Sequence, residues 1–183
     1  IYVRHEIVHN KRVVQQLSKK GAVFVEELEE IPLGSRVIFS AHGVSKEIKK
    51  IAKSYNHLTL DATCPLVSKV HKQTERYYNK DYTIILIGHK GHPEVVGIQG
   101  QVSQELILVQ NEEDAMALQL DNITKVAYVT QTTLSTHDTQ NIIKILKNKF
   151  PNIEGPDLDD ICYATQNRQE AAHDLAEKCD LVL

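Results

Sequence analysis

The chain has 183 residues, enough for one full domain or two small ones, and 42% of them are apolar, which suits a globular core. A net charge of -3 excludes the basic footprint of a nucleic-acid binder, and no apolar run approaches the ~18 residues that span a membrane. Three cysteines, Cys64, Cys162 and Cys179, do not make a secreted disulfide framework and fit a reducing compartment, with thiols kept for metal or chemistry.

In chain order, short β-branched runs alternate with longer amphipathic segments. "IYV" predicts a strand ahead of a helix over residues 10–20, and "GAVFVEE" a second strand before a loop with Pro32 and Gly34. "RVIFSAHG" predicts a third strand, followed by the helix "SKEIKKIAKSY" with Ser45 as its N-cap. "LTLDATCP" leads into the helix "LVSKVHKQTERYY". "YTIILIGHKGHPE" is followed by "ELILVQ" and a helix near residues 112–118. "KVAYVTQTTLS" precedes the helix "DTQNIIKILKNKF", and "DDICYATQNRQ" precedes the helix "EAAHDLAEKC". The last four residues, "DLVL", read as a strand just starting, and the chain reads as an internal piece of a longer protein. This alternation predicts an α/β fold with mainly parallel sheets, with the best breaks between Cys64 and Pro65 and between Gly155 and Pro156.

The segments repeat in kind. A histidine-bearing loop ("RHEIVHN"), a polar loop ("SAHGVS") and a cysteine at a helix start ("LDATCP") come in that order. The order returns as "GHKGHPE", "TQTTLS" and "LDDICYA". Two similar α/β lobes are expected, each offering loops from the carboxyl ends of its strands to one central site.

Cys64 and Cys162 are both expected at strand-to-helix junctions, where helix amides and their partial positive charge stabilise a thiolate and favour metal binding. The plainer alternative for each is a small buried hydrophobe. Cys179 reads as structural. His9, His42 and His92 fall in turns after strands, where imidazole donors and exposed amides suit an anion such as phosphate. Ala41 and Gly43 beside His42 are expected to let the backbone approach a ligand. His5 and His89 stay ambiguous, and His57, His71, His137 and His173 read as ordinary surface or core residues. Glu94 is either a proton donor in a strand-end loop or a solvated charge. Thr130, Gln131, Thr132 and Thr133 are either a proton relay or helix-capping groups. Asn167 and Arg168 read as a capped helix start.

Taken together, "RHEIVHN", "FSAHGVS", "DATCPLVSKVH", "IGHKGHPEVVG", "TQTTLS" and "DDICYATQNRQEA" resemble the 4-hydroxy-3-methylbut-2-enyl diphosphate reductase family, in order and spacing along almost the whole chain. The resemblance implies an iron–sulfur enzyme of the non-mevalonate isoprenoid pathway. It reductively removes the allylic hydroxyl of its diphosphate substrate to give isopentenyl and dimethylallyl diphosphate. It implies Cys64 and Cys162 as two ligands of a 4Fe–4S cluster, with the third cysteine upstream of residue 1. It implies His9 and His42 as diphosphate-binding residues and His92 as a further substrate-site residue. By the same match Glu94 is the proton donor and Thr132 the group that hydrogen-bonds near the substrate hydroxyl and that glutamate. It implies three similar lobes around the cluster: residues 1–64, residues 65–158, and a truncated third lobe begun at 159–183. Ferredoxin or flavodoxin is the implied electron donor, no membrane partner is implied, and the setting is cytoplasmic or like a plastid stroma. The activity is expected of the full-length parent, not of this segment alone. Two rivals stand beside it: a zinc-dependent hydrolase using His89, His92, Glu94 and a cysteine, and a non-enzymatic fragment or homologue.

Overall fold

Runs of β-branched residues with no polar alternation become the inner strands. The computed structural model describes residues 1–8, 10–120, 123–156 and 160–182. It forms two compact units, Ile1–Glu75 with Gly91–Glu105, and Arg76–Lys90 with Leu106–Leu183.

The first unit is built on a parallel sheet in the order β2-β1-β3-β4, from β1 (Tyr2–Arg4), β2 (Val23–Val25), β3 (Arg36–Phe39) and β4 (Leu58–Asp61). Its helices are α1 (Lys11–Lys19), α2 (Lys46–Ser54), most of α3 (Pro65–Tyr78) and α4 (Pro93–Gln99). Asn10 and Ser45 cap α1 and α2 by accepting the amide protons of Val13 and Ile48, which satisfies donors the first helical turn leaves over. Val25, Leu28, Ile31, Val37, Phe39, Val44 and Ala52 form the core of this unit.

The second unit carries a parallel sheet in the order β6-β5-β7, from β5 (Thr83–Ile87), β6 (Ile107–Val109) and β7 (Val126–Thr130). Every residue of β7 is buried, as are the last four of β5, the pattern of a strand covered on both faces. α5 (Glu112–Ala117), α6 (Thr136–Lys149) and α7 (Tyr163–Ala176) complete it. Tyr128 and Leu146, both with 0% exposure, lie in a core shared with Ile85, Ile87, Val109 and Ile142. No helix among the described residues is long and apolar enough to cross a membrane.

The α/β class and the parallel sheets are as the strand–helix alternation predicts. Because the strands of each sheet are parallel, the loops after them leave from one edge of it. The structure also differs in four places. Residues 93–99, expected as loop, are the helix α4. Cys162 opens a helix but follows no strand over residues 160–161. α7 begins seven residues earlier than "EAAHDLAEKC" and ends at Ala176, so Cys179 is an exposed residue beyond it. Residues 180–182 are not in a strand, and Leu183 lies outside the described residues.

Candidate active site

In the first unit the site grows from the ends of β3 and β4. Ser40, Ala41 and His42 follow β3, and Ser40 Oγ lies 3.2 Å from His42 Nδ1, a buried hydrogen bond that fixes the ring. Cys64 follows β4 and immediately precedes α3; its carbonyl accepts the amide proton of Ser68 in the first helical turn. The Cys64 amide donates to the Ala41 carbonyl at 3.0 Å, so the cysteine loop and the His42 loop are tied residue to residue.

His92 and Glu94 reach the same unit through α4. His92 is the N-cap, with its Nδ1 accepting the Glu94 amide proton at 3.2 Å. Since Nδ1 is the acceptor, the neutral ring carries its proton on Nε2, which makes His92 a donor toward whatever it faces. Its ring stands edge-on to His42, with centroids 5.7 Å apart and planes at 87°. Glu94 sits in the first turn of α4 with 1% exposure, so it is neither a loop residue nor a solvated charge.

α4 is held by small residues. A Cβ on Gly100 would fall 2.1 Å from Ser45 Cβ, and the Gly100 carbonyl accepts the Lys46 amide proton at 3.1 Å. Gln101, 6% exposed, donates through Nε2 to the carbonyls of Val44 (2.9 Å) and Gly97 (2.6 Å). Gly43, at φ +77, also has a steric reason for its place: a Cβ there would fall 2.7 Å from His71 Cε1.

The second unit repeats the device. Cys162 is the N-cap of α7, and its amide donates to the Thr132 carbonyl at 2.7 Å, as the Cys64 amide does to Ala41. Thr130, Gln131 and Thr132 are all buried at the end of β7. Gln131 Oε1 accepts the His89 amide proton at 3.0 Å, and its Nε2 donates to Thr133 Oγ1 at 3.0 Å, so one side chain joins the loops after β5 and β7. Gln131, Ser40 and Gln101 are the residues that sequence reasoning passed over or left unassigned; only the amide in the polar run after β7 gave a signal.

The remaining candidates divide. His9 lies outside the described residues. His5, at φ 59, pairs with Glu26 at 2.6 Å, and His89 is exposed. His57 and His71 are not satisfied core histidines: both ring nitrogens of His57 and Nε2 of His71 are buried without a hydrogen-bond partner. Arg168 donates to the Ala164 carbonyl within its own helix, and the start of α7 has no side-chain cap, unlike the capped start expected.

Cys64 and Cys162 are free thiols, each half-buried at a helix start, and thiolate is the donor an iron–sulfur cluster takes. Among the described residues no group of three or more His, Cys, Asp or Glu gathers to hold a metal ion. Each of the two cysteines has the chemistry of a single ligand in such a set.

Comparison with known proteins identifies the family. The family model described as LytB protein matches residues 1–183. The chain is 57% identical over 183 residues to 4-hydroxy-3-methylbut-2-enyl diphosphate reductase 1 of Rhodopseudomonas palustris, covering all of this chain and 60% of that protein. It is 56% identical over 187 residues to the reductase of Acinetobacter baumannii, covering all of this chain and 59% of that one. The solved reductase of Plasmodium falciparum superposes with a TM-score of 0.92 at 47% identity, over 98% of this chain and 57% of that chain. A second structure, titled (E)-4-hydroxy-3-methyl-but-2-enyl diphosphate reductase, the terminal enzyme of the non-mevalonate pathway, superposes with a TM-score of 0.75 at 28% identity, over 98% and 63% of the two chains. The chain thus spans about 60% of the length of the first of these relatives. Matched by the family model from its first residue to its last, the chain belongs to the LytB protein family.

Proposed function

We infer that the complete protein reduces (E)-4-hydroxy-3-methylbut-2-enyl diphosphate to isopentenyl and dimethylallyl diphosphate, the last step of the non-mevalonate isoprenoid pathway. The observation that carries this reading is the 57% identity, across every residue of the chain, to a reductase of that name. The reaction replaces a C–O bond by a C–H bond, consumes two electrons and two protons, and releases water. Ferredoxin or flavodoxin brings the electrons, in the cytoplasm or a compartment like the plastid stroma.

Cys64 and Cys162 would hold a 4Fe–4S cluster, with a third cysteine from outside this chain. When bound, the cluster supplies electrons and Lewis acidity. The other tasks fall to this chain's side chains. His42, its ring fixed through Ser40, and His92, donating from Nε2, bind the diphosphate oxygens, with His9 as a third donor. Glu94 holds a proton on its carboxyl and delivers it to the leaving hydroxyl, which departs as water. Thr132 hydrogen-bonds the substrate hydroxyl. Burial of Glu94 limits exchange of that proton with bulk water.

The test is turnover by the anaerobically purified complete protein with a chemical one-electron reductant. Isopentenyl and dimethylallyl diphosphate are the expected products. A preparation that holds iron and sulfide yet forms neither would overturn the reading, and zinc in place of iron would overturn the assignment of the cysteines.

A further inference from the structure

His71 is a buried residue of α3 about two helical turns beyond Cys64, and nothing in the reaction described above uses it. Its ring lies against the Gly43 turn. A Cβ built on Gly43 would lie 2.7 Å from His71 Cε1, 3.2 Å from His71 Nε2 and 3.2 Å from Thr63 Cγ2. Gly43 is bonded to His42, and Thr63 is bonded to Cys64. The imidazole therefore lies against the loop that carries His42, and Thr63, the neighbour of the thiol, borders the same space over Gly43.

Both loops are fixed on their other sides. Asp61 accepts the Thr63 amide proton at 3.1 Å and also its hydroxyl, while Lys49 Nζ donates to Asp61 at 2.7 Å. The Gly43 amide donates to the Ser40 carbonyl at 3.2 Å. His71 Nε2 is buried without a hydrogen-bond partner. The charged groups facing the ring are Lys49 from α2, Asp61 from the end of β4 and Glu75 from α3. Burial, reinforced by Lys49 and opposed by Asp61 and Glu75, lowers the imidazole to about 4, so it is neutral at neutral pH.

We propose that His71 is a positioning residue whose ring is the floor under the Gly43 turn and sets how His42 presents its imidazole to a bound diphosphate. The proposal rests on the reading of His42 as a diphosphate-binding residue. In this geometry the glycine and the histidine are complementary: the missing Cβ of one is the space taken by the ring of the other.

The test is a double-mutant cycle in the complete protein with Gly43→Ala, His71→Ala and the pair; His71→Asn replaces His71→Ala if the latter does not fold. Two quantities are measured, the melting temperature and the affinity for inorganic diphosphate by calorimetry. Each single change is expected to weaken diphosphate binding by about tenfold or more, whereas Gly43→Ala costs at least about threefold less in the His71→Ala background than in the unmutated protein; what remains is the left-handed backbone at φ +77, which strains any side chain. Coupling in melting temperature alone makes the contact mere packing and overturns the role. Coupling in neither quantity overturns the contact as well. If the unmutated protein has no affinity for inorganic diphosphate, the reading of His42 fails, and the use assigned to His71 falls with it even where the melting temperatures couple.

Discussion

Glu94 is a carboxyl with 1% of its surface exposed, set by a proline and a histidine cap in the first turn of α4. On the proposed reading it is the group that delivers a proton to the leaving hydroxyl. In the complete protein Glu94→Gln keeps the shape and loses the proton. Turnover is expected to fall by roughly a hundredfold or more, while cluster content and substrate affinity hold. Turnover near that of the parent would remove Glu94 from the mechanism. His71 gives a second expectation at this scale. Its folded-state pKa of about 4 lies below the ordinary 6.5, so between those values the unfolded chain binds the extra proton and the native protein does not. Stability therefore rises with pH through that window and is lost as pH falls from 6.5 toward 4. Melting temperatures of His71→Asn should fall less over the same range than those of the unmutated protein, and parallel curves would rule out a buried neutral imidazole.

At the scale of elements, the decisive contact is between α4 and the start of α2. A methyl on Gly100 would lie 2.9 Å from Ser45 Cα, backbone that cannot swing aside, and Ser45 is also the N-cap of α2. Gly100→Ala is expected to cost about 1–3 kcal/mol in denaturant unfolding. A change below about 0.5 kcal/mol, the range of inert surface substitutions, would show that the helix shifts freely. This contact also shows where sequence reading succeeds and where it stops. β5 and β7 are legible because parallel strands buried on both faces demand unbroken β-branched runs. α1, α2 and α6 are legible through Asn10, Ser45 and Ser135, whose capping chemistry is local. α4 is hidden because Gly97 and Gly100 lower helix propensity in a segment whose formation depends on packing against residues fifty positions away. The same distance hides Gln101, which donates to Val44, and Gln131, which accepts from His89. His71 reads as ordinary in sequence because its significance lies in the absence of a side chain at Gly43.

At the scale of the whole molecule, the repeated order of loops and cysteines has a structural counterpart in each unit, since both cysteine amides donate to a loop carbonyl near the end of a neighbouring strand. On the proposed reading both thiols are ligands of one cluster, with a third cysteine supplied from elsewhere. Cys64→Ser and Cys162→Ser should each abolish the visible absorption of the anaerobically purified complete protein. Cys179→Ser, a change at an exposed residue beyond α7, should leave it intact. An unchanged spectrum in either of the first two would strike that residue from the ligand set.

The two anchored cysteine amides have one more consequence. Each is held by a backbone bond, 3.0 Å at Cys64 and 2.7 Å at Cys162. The peptide planes that carry the thiols are therefore fixed by bonds within the polypeptide itself. Amide hydrogen exchange at these two positions is expected to be slow in the folded chain, and fast exchange at either would show that the bond does not hold its loop.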